Sequence, residues 1–177
     1  MNGEVRNLLY RLISSFSNKR VRSIKKINDR FISLLVREPC EKYFALSVLT
    51  YVLAKICTKP RFFTKEKKVF IDKVIVKLRE MNDNNILDKV KEIESIIIEM
   101  EERDPRFIFD LFTKARVKTA AILYAKGISL GRASKITGIP KQEILSYAGK
   151  TMMFDRVKEE TDVIERIKEA RHTIIGR

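Results

Sequence analysis

The sequence predicts an all-α protein in two parts, with a helical bundle over residues 1–104 and a unit of shorter helices over residues 105–177. Apolar residues recur at three- and four-residue spacing through most of the 177 positions, and no segment alternates with the two-residue period of a half-buried strand. Glycine (6) and proline (4) are scarce while straight-chain helix formers abound, which favours long helices and short connections. The hydrophobic share of 45% is enough to bury a real core and excludes a disordered chain.

The elements follow in order. Leu8, Leu9, Leu12, Ile13 and Phe16 form the stripe of a first helix that starts near Val5. Asn18 is the expected opening of a second helix with Val21, Ile24, Ile27, Phe31, Leu34 and Leu35 inward, which Pro39 ends. Residues 41–58 are the most apolar piece, and a helix apolar on most sides belongs at the centre of a bundle. Thr64 is the expected N-cap of a helix to Met81 that buries Val69, Phe70, Val74, Ile75 and Leu78. Asn82-Asp83-Asn84-Asn85 reads as a turn. A helix over about 86–103 follows, carrying Ile86, Leu87, Val90, Ile93, Ile96, Ile97 and Met100 with an acidic outer face. Asp104-Pro105 opens the next helix, since proline suits the first helical position, and Gly127 stops it. A last helix is expected over about 152–172, its stripe formed by Met153, Val157, Val163, Ile164 and Ile167.

Lys and Arg number 37 against 23 Asp and Glu, a net charge of +14 that attracts polyanions or anionic membranes. The excess is uneven. Residues 1–80 hold 19 basic and 7 acidic side chains, residues 81–110 hold 4 and 9, and residues 111–154 hold 8 and a single acid, Glu143. The acidic stretch is expected either to pack against a basic block or to mark a seam near Asp104-Pro105. Lys19, Arg20, Arg22, Lys25 and Lys26 form a second anion-binding candidate, set against ordinary solvated charge spread over more than one helix face. That run lacks the large apolar residues of an interfacial helix, so no membrane partner is expected.

Catalytic chemistry finds no constellation. The one histidine, His172, lies five residues from the end. Cys40 and Cys57 fit no metal spacing and would stand roughly 24 Å apart along one helix, so they read as free thiols. The glycines form neither a phosphate loop nor a dinucleotide fingerprint. No enzyme activity, metal or cofactor is expected. The N-terminal segment lacks the features of a signal peptide and no apolar run reaches ~18 residues, so a cytoplasmic location is expected.

Residues 129–149, SLGRASKITGIPKQEILSYAG, carry the functional argument. Ser129 caps a short helix. Gly138 sits where that helix must stop in a left-handed residue, and Pro140 starts a second one. Two helices joined by a tight turn containing Gly make a helix-turn-helix, here with a trailing C-terminal helix. Small residues are required where the helices cross, and Ala133 and Ser134 stand there. Ile139, Ile144 and Tyr147 fill the core positions. Lys141, Gln142, Leu145 and Ser146 are then left outward as candidate contacts to base edges, since Gln pairs with adenine and Lys with guanine or phosphate. Ser129, Arg132, Lys135 and Lys150 are candidate contacts to the DNA backbone.

Ser129-Leu130-Gly131-Arg132-Ala133, Gly138 and Ile139 resemble the helix-turn-helix segments of archaeal predicted transcriptional regulators. They are also similar to small antitoxin-like proteins with the pattern SLG-[RK]-A-A-x-[LI]-A-G-[IVL]-[SP]. The likeness spans about residues 117–155, and Ser134 and Thr137 depart from its usual alanines. It implies a sequence-specific regulator that binds duplex DNA. One recognition helix reads few bases, so a homodimer is expected, with the helix at 152–172 as its favoured interface. The alternative is a helical protein-interaction module, antitoxin-like or scaffold-like, whose paired helices meet a protein partner; a third reading is sequence-independent RNA or DNA binding through the N-terminal basic helix.

Overall fold

The computed structural model describes residues 3–102 and 111–156. Among these every regular element is helical: α1 (Gly3–Ser17), α2 (Val21–Arg37), α3 (Glu41–Cys57), a 3-10 turn (Pro60–Phe63), α4 (Lys68–Arg79), α5 (Ile86–Glu102), α6 (Leu111–Ala125), α7 (Leu130–Thr137), α8 (Lys141–Lys150) and α9 (Met153–Arg156). No described helix is long and apolar enough to cross a membrane. The chain divides into two compact units, Met1–Arg116 and Val117–Arg177, with the division inside α6. The seam expected at Asp104-Pro105 lies outside the described residues. So do Val157, Val163, Ile164 and Ile167 of the expected last helix.

In the first unit α1 packs on α2 and α4 packs on α5 and α1, while α3 packs against α1, α2 and α5. Its apolar circumference accounts for that place: Leu46, Leu49, Val52, Leu53 and Ile56 are fully enclosed. The polar groups it takes inside are satisfied. The hydroxyl of Ser47 donates to the Tyr43 carbonyl and that of Thr50 to the Leu46 carbonyl, one turn back. Asn28 of α2 donates from its buried amide to the Ser47 carbonyl at 2.7 Å, fixing the register between the two helices. Cys40 and Cys57 are free thiols at opposite ends of α3. Burial pushes the Cys57 thiol up to about 11, against the lowering effect of the Lys19 charge.

Two helix starts differ from expectation. Asn18 does not open α2; its side-chain amide donates to the Ser14 carbonyl at 2.8 Å and so helps to close α1. Lys19 follows in the left-handed conformation, φ 53°, and Arg20 is the N-cap of α2. The amides of Arg20 and Lys19 donate to the Ser15 and Phe16 carbonyls, the paired bonds that usually end a helix at glycine. Thr64 likewise precedes a loose turn, and α4 begins at Lys68. The buried stripe of α4 therefore runs through Phe70, Ile71, Val74 and Leu78 and leaves Val69 58% exposed. In α5 the stripe is Ile86, Val90, Ile93, Ile97 and Met100, and Leu87 faces out.

The Asn82–Asn85 turn forms as expected. The amide of Asn84 donates to Asn82 Oδ1 at 3.0 Å, and Asn85 Nδ2 donates to the Glu80 carbonyl. The acidic outer face of α5 meets basic partners of its own unit. Glu94 pairs with Arg116, and Glu92 pairs with Lys77 at 2.8 Å and with Lys89 at 3.1 Å. Lys89 also reaches Glu80 at 2.7 Å.

Hydrogen bonds within this cluster hold the Glu80 and Glu92 carboxyls below the ordinary range and the Lys77 and Lys89 ammonium groups above theirs. Depressed carboxyls contribute stability that is present above their unfolded-state values and lost as pH falls through the folded ones. Raised lysines contribute stability that is present below their unfolded-state values and lost as pH rises through the folded ones. Urea unfolding should therefore show wild type exceeding Glu80→Gln/Glu92→Gln by a constant small margin from about pH 6 to 9. The margin should close below about pH 4 and again above about pH 11. A margin that does not vary with pH would mean the cluster adds nothing.

Candidate nucleic-acid interface

The second unit is built on small residues. Ala120, Ala121, Leu123 and Ala125 of α6 are buried, as are Ala133 of α7, Ile144 and Ala148 of α8, and Met153 of α9. Such side chains let short helices approach closely. α6 closes at Gly127, φ 92°, where the Ile128 amide returns to the Leu123 carbonyl and the Gly127 amide to the Tyr124 carbonyl. Met152 takes a left-handed turn, φ 47°, after α8, and Phe154 meets Tyr124 edge to face at 5.1 Å.

Within this frame α7 and α8 are joined by only Gly138, Ile139 and Pro140. Ser129 caps α7, its hydroxyl accepting from the Arg132 amide at 3.3 Å. Gly138 is left-handed at φ 70°. Pro140 stands as the N-cap of α8, and its carbonyl accepts from the Glu143 and Ile144 amides.

Ser134 and Thr137, the two departures from the alanine pattern, tie this turn. Ser134 donates to the Ile139 carbonyl at 2.8 Å. Thr137 donates to the Ala133 carbonyl at 2.8 Å and accepts from the Ile139 amide at 3.3 Å. From sequence both were noted only as departures from alanine. The available signal was a hydroxyl on each side of a turn with unpaired backbone groups.

The predicted outward residues are outward. Lys141, Gln142, Leu145 and Ser146 are exposed on α8, and Ser129, Arg132, Lys135 and Lys150 are exposed as well. Ile144 is fully enclosed behind them, and Tyr147 is only half-buried. Lys141 does not project freely. Its stem passes the first turn of α7, where a Cβ on Gly131 would lie 3.9 Å from Lys141 Cε. This brings Lys141 beside the start of α7, which carries Arg132.

Gly149 lies on the same exposed side and was not singled out from sequence. Among the described residues a Cβ there meets nothing within 4 Å, so their packing does not require glycine. Residues 117–154 carry six basic side chains and only Glu143 acidic. Glu143 lies in the first turn of α8, where a carboxylate favours the helix dipole.

Of the second candidate run, Lys19 lies in the loop and Arg20 at the cap, so only Arg22, Lys25 and Lys26 are helical; all five are exposed. Among the described residues no group of three or more His, Cys, Asp or Glu side chains could hold a metal ion. No known protein family model matches this chain, and neither do curated proteins or solved structures.

Proposed function

We propose that the second unit binds duplex DNA in a sequence-specific way, with α8 in the major groove, and that the protein is a transcriptional regulator. The observation that carries this reading is the exposed side of α8. Lys141, Gln142, Leu145 and Ser146 stand free of the core on a helix anchored by Ile144, next to the short tied turn. Two further features support it. Arg132, Lys135 and Lys150 are exposed cations, the residue types that meet phosphates. Gly149 leaves the exposed side flat although no described neighbour requires glycine there, as a close-approaching partner would.

A helix this short offers few base contacts, so the reading includes a two-fold dimer with recognition helices roughly 34 Å apart. At a cognate site Gln142→Ala and Lys141→Ala should each cost about 1–3 kcal/mol and relax specificity while leaving helicity unchanged. Titration of a selected duplex beside a scrambled one checks this. Wild-type affinity in both variants would remove α8 as the reader.

A second reading rests on Leu145, 44% exposed at the middle of that surface. An apolar centre also suits a protein partner. Leu145→Ala separates the two. A protein interface loses its centre, whereas DNA recognition loses only an apolar contact.

A further inference from the structure

The first unit carries a second electropositive surface, assembled from segments far apart in the chain. Residues 19–26 hold five basic side chains and no acidic one, and residues 59–68 hold five basic and only Glu66 acidic. Lys19 joins the two, its Nζ lying 4.1 Å from the centroid of the Phe63 ring. The backbone of Lys19 is left-handed at φ 53°. That conformation costs a lysine about 1–2 kcal/mol relative to glycine. Glycine would close the turn without strain but would bring no ammonium group to Phe63.

The cations of the second segment divide into two kinds. Arg61 and Lys67 lie over the ring of Phe62, at 5.1 and 5.4 Å, and serve the packing of the segment itself. Lys59, Lys65 and Lys68 are exposed, as are Lys19, Arg20, Arg22, Lys25 and Lys26.

We infer that these two segments form one site for the phosphodiester backbone of nucleic acid, read without regard to base sequence. The charges spread along two segments instead of converging on a cavity. That arrangement matches a linear polyanion carrying a charge about every 1.7 Å of its axis. An anionic membrane would demand several large apolar residues exposed together, but Phe62 is 1% exposed, Lys19 lies over Phe63, and Val69 beside Lys68 is a single exposed apolar side chain. The site stands apart from the reading of α8, because it lies in the other unit and takes no sequence information.

The test is the salt dependence of full-length protein binding to random-sequence duplex DNA and duplex RNA, measured in parallel. Lys59→Gln/Lys65→Gln/Lys68→Gln and Arg20→Gln/Arg22→Gln/Lys25→Gln should each make the slope of log affinity against log salt shallower by about 2–3. Affinity at low salt should fall roughly tenfold or more. Lys19→Gly keeps the turn but removes the contact with Phe63. It should weaken binding more than Lys26→Gln, which removes one charge only.

The two nucleic acids identify which backbone the site takes, and binding to neither overturns the inference. An unchanged slope in the Lys59, Lys65 and Lys68 variant overturns it, as does tighter binding to phosphatidylserine vesicles than to either duplex. Loss of sequence preference with these slopes intact would sink the reading of α8 and leave this site standing.

Discussion

Ile144→Ala should destabilise the second unit by about 2–5 kcal/mol, enough to abolish most of its folded population. Among the described residues of that unit only Leu123 and Ile144 are both large and fully enclosed, at 0% exposure. The other enclosed side chains of that unit include Ala120, Ala121, Ala133 and Ala148, and such short side chains cannot reach into the hole left by a lost one. Hydrogen exchange resolves the effect by region. The amides of α7 and α8 should lose protection while those of α3 keep theirs. Leu145→Ala, one position along but exposed, should stay within about 0.5 kcal/mol of wild type. Equal effects of the two substitutions would mean that α8 is not seated through Ile144.

Gly138→Val should cost about 1–3 kcal/mol and loosen the angle between α7 and α8. A Cβ at Gly138 meets nothing within 4 Å, so the penalty is conformational and comes from the φ of 70°. Asparagine tolerates this conformation, and Gly138→Asn should recover most of the loss. Gly149→Ala gives the opposite sign. That glycine is helical with open space around it, and alanine should stabilise α8 by roughly 0.5–1 kcal/mol. Thermal unfolding followed by circular dichroism checks all three. A Gly138→Val protein as stable as wild type would show that the turn does not depend on a left-handed residue.

The helices were legible because burial imposes a period that composition cannot hide. The stripes of α1, α2 and α5 and the all-round apolar character of α3 follow from it. The boundaries were less legible, because polar residues serve both ends of a helix. Asn18 can cap a start or close an end, and here it bonds back to Ser14. Thr64 has the chemistry of an N-cap, but the 3-10 turn before it delays α4 to Lys68 and so turns Val69 outward. The left-handed Lys19 had no signal, since lysine rarely adopts that conformation and the Phe63 ring it reaches is distant in sequence.

The turn between α7 and α8 was legible, because a short connection restricts Ser129 and Gly138 to few residue types; of the three expected core positions Ile144 is enclosed, while Ile139 and Tyr147 are only half-buried. What a surface binds is written less plainly. Lys141 and Gln142 are exposed, and among the described residues nothing fixes what their polar ends bind.

Selection of bound sequences from a random duplex pool, run with the full-length protein and with Lys141→Ala/Gln142→Ala, tests the proposed function most directly. The wild-type protein should enrich a two-fold symmetric motif with half-sites about 10 base pairs apart, and the double variant should lose that enrichment while still binding DNA at low salt. A flat profile from the wild-type protein, or the same motif from both, would contradict it.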